Sequence, residues 1–199
     1  MRKLLLTTAA VAAAIAGAVA AETAFGTFTD TRDGQTYKTV TFGTQTWMAQ
    51  NLNYKTKSGS WCYEDSLSYC KKYGRLYNWK TAKTVCPKGW KLSSREDWDR
   101  LVTTAGGKKI AGKLLKAKSG WNENGNGTDN YGFSALPGGY RNADGGFSGA
   151  DNGGRWWAAT EGSGGRAYHR YMVYGNDIVG EYGYYKSNGY SVRCVADRP

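Results

Sequence analysis

The chain has 199 residues, with 27 Lys and Arg against 16 Asp and Glu, 28 Gly, 15 Tyr, 8 Trp and 4 Cys. That length suits one domain, and 40% hydrophobic with 14% aromatic content excludes a disordered chain. Glycine without a triplet period, beside 3 prolines, excludes collagen, while the net charge of +11 raises nucleic acid, membrane or an anionic polymer as partner.

Residues 1–21 read as a signal peptide. Arg2 and Lys3 make a charged start, Leu4 to Ala16 are mostly apolar, and Ala18-Val19-Ala20 offers the small-x-small pattern of a signal peptidase site. The expectation is export (periplasmic, cell-surface or secreted), with residues 22–199 as one domain and no transmembrane segment after cleavage. No cysteine stands at the cleavage point to carry a lipid anchor.

Residues 35–48 alternate Thr with Tyr, Val, Phe and Trp around Gly43, which predicts a β-hairpin. In an exported chain Cys62, Cys70, Cys86 and Cys194, even in number and without a C-x-x-C, point to disulfides and away from zinc. Three pairings are open. Cys62 and Cys70 are near enough for a local bridge, which would leave Cys86 to tie the middle of the chain to Cys194.

A helix is predicted over 74–86, where Leu76, Trp79, Ala82 and Cys86 recur at steps of three or four before Pro87 and Gly89. Ser93 with Glu96 reads as a capping box opening a second helix, with Trp98, Leu101 and Val102 on one face and Gly106-Gly107 at its end. A short third helix is predicted from Ala111 to Ala117. Beyond Gly120 glycines dominate, and short strands at Arg155–Thr160, Ala167–Tyr174 and Ser191–Ala196 are separated by loops. Helices first and strands afterwards indicate an α+β domain.

Several segments then resemble a known family. They are Gln45-Thr-Trp-Met-Ala-Gln-Asn-Leu-Asn-Tyr54, Tyr73-Gly-Arg-Leu-Tyr-Asn-Trp79, Cys86-Pro-Lys-Gly-Trp-Lys-Leu-Ser-Ser94 and Tyr131-Gly-Phe-Ser-Ala-Leu-Pro-Gly-Gly-Tyr-Arg141, with Trp156-Trp157-Ala-Ala-Thr-Glu161 and Tyr190-Ser-Val-Arg-Cys-Val195. The series resembles the exported bacterial Fibrobacter succinogenes major paralogous domain over roughly residues 28–197. That family looks like a branch of the C-type-lectin-like superfamily, related to the formylglycine-generating sulfatase-modifying enzymes. The resemblance implies helices flanking a small twisted antiparallel sheet with long Gly- and Asn-rich loops, and it agrees with a long Cys86–Cys194 disulfide.

Enzyme signatures are thin. His169 is the only histidine, which excludes metal sites needing two, and no G-x-S-x-G elbow exists. The redox cysteine pair of the formylglycine-generating enzymes has only Cys194 to match it near the chain end, so a catalytic role is not expected. No cofactor is firmly expected. A structural calcium is the one considered, with Asn124, Asn126 and Asp129 as weak oxygen ligands among ordinary turn residues.

Positive signals for binding lie in 166–190, which holds seven tyrosines. On the strand from 167, Tyr168, Arg170, Met172 and Tyr174 share one face, and Ala167, His169, Tyr171 and Val173 the other. Tyrosine gives broad contact with a polar tip and little rotamer freedom. Half of these tyrosines are expected to pack the sheet, and Trp156 and Trp157 to sit in the core. Tyr168, Arg170, Tyr174, Asn176, Asp177, Tyr182, Tyr184 and Arg141 are the candidate ligand contacts. The partner expected is a polysaccharide or cell-surface glycan, or alternatively a surface protein met by variable loops.

The positive charge is local. Residues 71–118 hold fourteen Lys and Arg against three acids, whereas 119–199 hold seven against eight. A solvated helical face accounts for such a run, and export together with the lack of any nucleic-acid motif argues against nucleic acid as partner.

Overall fold

Alternating Thr and apolar residues over 36–48 fold as expected, into two strands whose Val40 and Trp47 are paired and fully buried. The computed structural model describes residues 23–197, so the signal-peptide expectation for residues 1–21 lies outside the described residues. The first half of the chain runs β1 (Ala24–Thr29), β2 (Thr36–Phe42), β3 (Gln45–Met48), β4 (Ser60–Trp61), a 3₁₀ turn (Tyr63–Asp65), α1 (Leu67–Tyr73), β5 (Leu76–Tyr77), α2 (Trp79–Val85), β6 (Trp90–Leu92) and α3 (Arg95–Thr104). Then come α4 (Ala111–Leu115), β7 (Gly138–Arg141), β8 (Phe147–Ala150), β9 (Gly153–Glu161), β10 (Arg166–Val173), β11 (Gly180–Tyr185), β12 (Tyr190–Ser191) and β13 (Cys194–Ala196). The described chain is thus a mixed α+β fold with four short helices, none long and apolar enough to cross a membrane.

Two sheets form. The first has the order β1-β2-β3-β13-β6, so the last strand lies between the opening hairpin and the strand before α3. The second runs β11-β10-β9-β12-β5-β4, with the β7–β8 hairpin attached to β9. Parallel contacts join β12 and β7 to β9 (Ser191 beside Trp156, Gly139 beside Gly154), and the other ladders are antiparallel. Adjacent tryptophans on β9 serve opposite sides. Trp156 joins Trp47, Trp98, Phe133 and Met172 in one core, and Trp157 joins Tyr77, Trp79, Tyr190 and Val192 in the other.

One amide holds the two sheets together. Asn51 Oδ1 accepts from Trp156 Nε1 at 2.8 Å and from Arg193 Nε at 2.7 Å, while its Nδ2 donates to the Tyr73 carbonyl and to Ser191 Oγ. Arg193 is wholly buried and directs its remaining N–H groups at the carbonyls of Met48, Phe133 and Ser134. Burial lowers its pKa to about 9, yet every nitrogen has an acceptor. Two disulfides complete the frame: Cys62–Cys70 pins the 3₁₀ turn to α1, and Cys86–Cys194 joins the end of α2 to β13.

Three helix boundaries depart from the sequence pattern. The helix expected from 74 begins at Trp79, because Leu76 and Tyr77 pair with β4 and β12, and Asn78 caps it by accepting from Thr81 N. The capping box is one residue later than expected: Ser94 and Asp97 exchange the bonds, while the Ser93 carbonyl accepts from Ala159 N. The third helix stops at Leu115, not Ala117. Trp98, Leu101 and Val102 face the core as their spacing predicts. Helix α1, strand β1 and the β7–β8 hairpin carry no periodic signal that the sequence reading had used.

Candidate functional site

Strand pairing, more than local sequence, assembles the most distinctive concavity. His169 on β10 lies opposite Trp157 on β9 and Tyr182 on β11. The period of two therefore gathers Arg155, Trp157, His169, Tyr171, Val173, Tyr182 and Tyr184 on one face. Tyr140 from β7 and Tyr190 from β12 reach the same face through the parallel contacts with β9. All of these but Trp157 line a cavity of about 270 Å³.

Its floor is dry and aromatic. His169 is 3% exposed, with ring centroids 4.6 Å from Tyr190, 6.1 Å from Trp157 and 6.5 Å from Tyr182. Burial, helped by the positive charge of Arg155, pushes its pKa down to about 3, so the imidazole is neutral at physiological pH. A neutral imidazole carries one donor and one acceptor, and Nδ1 has no hydrogen-bond partner among the described residues. Trp157 by contrast is satisfied, donating from Nε1 to the Tyr77 carbonyl at 2.7 Å. Burial raises the Tyr190 hydroxyl well above its ordinary range.

The rim is open. Tyr182 is 57% and Tyr184 40% exposed, with ring centroids 6.3 Å apart. On one side Arg155 lies 3.8 Å over the Tyr140 ring, which fixes the guanidinium at the edge of the cavity. On the other, the Tyr171 ring rests on Gly180, where any Cβ would run into it. Aromatic walls, a neutral donor–acceptor floor and one cation suit a hydroxylated ring better than a strongly charged ligand. No Asp or Glu is among the residues lining this cavity.

The model of the Fibrobacter succinogenes major domain family matches residues 40–196. The chain belongs to that family. No curated protein matches it, and no solved structure does. In this member of the Fibrobacter succinogenes major domain family, the matched span contains the whole cavity and both disulfides.

The residues expected to bind do not lie on one surface of this family member. Tyr182 and Tyr184 are on the cavity rim. Tyr168 and Arg170 lie on the opposite face of β10, turned towards α3. Arg170 is 5% exposed and ion-paired with Asp99 at 2.6 Å and Glu181 at 2.7 Å, and Arg95 covers the Tyr168 ring at 4.0 Å. Met172 of that face is core, and Tyr174 packs against the same cluster. Tyr168 and Tyr174 are thus half-buried and flank the buried Arg170 and Met172 on the side of α3, away from Tyr182 and Tyr184.

Asn176 and Asp177 instead tie down α4. The buried Lys116 ammonium donates to the Asn176 carbonyl at 2.9 Å and lies 3.8 Å from the Asp177 carboxylate, while Asn176 Oδ1 accepts from Ile178 N. Arg141 faces away from its neighbour Tyr140, 4.3 Å over the Trp61 ring. In the loop weighed for calcium, Asn126 Oδ1 accepts from Trp121 N and the Asp129 carboxylate accepts from the Ser134 amide and hydroxyl. Asn124 there adopts φ 60. Among the described residues no three His, Cys, Asp or Glu side chains cluster as metal ligands.

Tyr140, Arg155, His169, Tyr171, Val173 and Tyr190 are the cavity residues that the sequence did not single out as contacts. Their signal was weak but present: His169, Tyr171 and Val173 alternate along one strand, and that face was the one set aside.

Proposed function

We propose that this chain is an exported, non-catalytic binding module that holds a polysaccharide or surface glycan in the tyrosine-lined cavity of its second sheet. The observation that carries the reading is the pair of exposed rings, Tyr182 and Tyr184, standing over a floor where His169 is buried, neutral and unpartnered at Nδ1. Aromatic faces stack on the apolar faces of sugar rings, and Arg155 with the tyrosine hydroxyls gives sugar hydroxyls polar partners in the same cavity. The reading extends to the fold: a long disulfide from a helix to the terminal strand, with first and last strands in one sheet, supports a C-type-lectin-like domain.

Mature protein passed over insoluble polysaccharides tests this reading. Retention on at least one polymer, lost in Tyr182→Ala and Tyr184→Ala variants that melt at the wild-type temperature, is expected. Failure on every polymer with capture of a protein ligand through the same tyrosines would replace the glycan by a surface protein. If the variants unfold, those tyrosines are structural and the site is refuted.

A further inference from the structure

A second cavity, of about 420 Å³, lies beside α1 and is lined by residues from a different part of the chain. Its chemistry is set by Arg75. Among the described residues three arginines are nine-tenths buried or more, and two of them have carboxylate or carbonyl partners: Arg193 has carbonyls and Asn51, and Arg170 has Asp99 and Glu181 although its Nε is unpartnered. Arg75 is 9% exposed and lines the cavity, its Nε has no partner, and its guanidinium makes no hydrogen bond or ion pair among the described residues. A buried polar atom without a partner is uncommon and asks for an explanation, and the terminal nitrogens of Arg75 have no protein partner at the cavity.

The surroundings define the ligand. No Asp or Glu lines the cavity, while Lys71 and Lys72 join Arg75 there. Asp151 sits at the edge, where it holds Lys72 at 3.2 Å and accepts from the Tyr73 hydroxyl, leaving Lys71 and Arg75 without a carboxylate. Arg75 thus presents a planar fork suited to a carboxylate. Amide side chains of Gln35, Gln50 and Asn53 stand among these donors, and Asn53 Oδ1 has no partner. A carboxylate on a hydroxylated skeleton brings several hydroxyls to such amides, whereas acetate brings none. Leu67, 74% exposed, adds an apolar lip, and Cys70 of the Cys62–Cys70 disulfide forms part of the wall.

We infer that the cavity formed by Arg75, Lys71 and Asn53 binds a hydroxylated carboxylate of the uronic-acid class. The inference rests on different residues from the tyrosine cavity and holds whether or not that cavity takes a glycan. It also gives a use to part of the positive charge concentrated in residues 71–118.

Isothermal titration of the mature chain at low salt with glucuronate, acetate, inorganic phosphate and glucose tests it. Glucuronate binds at least about tenfold more tightly than acetate, phosphate more weakly than glucuronate, and glucose not detectably, a tenfold step being about what one or two added hydroxyl hydrogen bonds should give. Arg75→Met abolishes glucuronate binding without lowering the melting temperature, because the Arg75 side chain makes no hydrogen bond or ion pair among the described residues. Lys71→Glu, a change at an exposed residue, weakens binding by about tenfold or more, and Tyr182→Ala leaves it unchanged. Absent glucuronate binding, tighter phosphate than glucuronate, equal affinity in Arg75→Met, or unfolding of Arg75→Met together with unchanged affinity in Lys71→Glu would each overturn the assignment.

Discussion

The dryness of the cavity floor makes His169 the residue to perturb first. Folded, its imidazole has a pKa near 3, whereas the unfolded chain returns it to the ordinary 6.5. A base whose folded pKa is depressed favours the folded state while it is neutral, so the contribution is complete above pH 6.5 and is lost as pH falls towards 3. Each pH unit inside that window costs about 1.4 kcal/mol per proton taken up on unfolding. From about pH 6 to pH 4 the loss is therefore ~2.5 kcal/mol. The charged and titratable groups facing the imidazole are Arg155 on β9, Tyr171 on β10, Tyr182 on β11 and Tyr190 on β12, and no carboxylate lines the cavity to offset the effect. His169→Phe keeps the ring contacts with Tyr190 and Trp157 and removes the proton site. Urea unfolding at a series of pH values, analysed at constant m, should show wild-type stability falling more steeply than that of the variant by this amount. Carboxylates elsewhere titrate in both proteins and cancel in the difference. Parallel slopes would mean that the folded imidazole titrates in water, and the reasoning about a dry floor would fail.

Three other perturbations follow from the frame around the cavity. Asn51→Leu strands the buried Trp156 Nε1 and Arg193 Nε donors, so unfolding midpoints should drop by the equivalent of about 3 kcal/mol or more; a loss below ~1 kcal/mol would contradict the hub assigned to that amide. Removing Cys86–Cys194, which closes a separation of 108 residues, should cost about 4–5 kcal/mol, and removing Cys62–Cys70, which spans 8, distinctly less, as read by denaturant midpoints of Cys→Ala pairs. Gly180→Ala should push the Tyr171 ring into the cavity, lowering glycan retention at a stability cost of about 1–3 kcal/mol; unchanged retention would show that the ring has room to spare.

Those parts of the fold that depend on local spacing were legible. The hairpin of β2 and β3 and the buried face of α3 follow from periods of two and 3.6, and the core placement of Trp156 and Trp157 from an unbroken apolar run. Leu76 misled because it sits three residues before Trp79, as a helix would have it, yet pairs with Ser191 across the sheet. Ser93 and Ser94 offer the same cap chemistry, and only the engagement of the Ser93 carbonyl by Ala159 decides between them. The site shows the sharper limit. Alternation states which residues of β10 share a face, but not which face is covered. Arg170 looks like a surface residue until α3 brings Asp99 against it, and His169 with Tyr171 looks like core until the sheet is seen to end in an open cavity. Tyr140 and Tyr190 enter through parallel contacts with β9, which no local pattern in their own segments announces.

The central claim is that exposed tyrosines over a buried neutral histidine form a glycan site. Titration of the mature protein, and of its Tyr182→Ala and Tyr184→Ala variants, with a soluble oligosaccharide of the retained polymer tests it most directly. Each ring is 40% exposed or more, so truncation should leave the melting temperature within the wild-type range. Each should weaken binding about tenfold or more, as truncating a central aromatic contact does. Wild-type affinity in both variants, with the fold intact, would contradict the account.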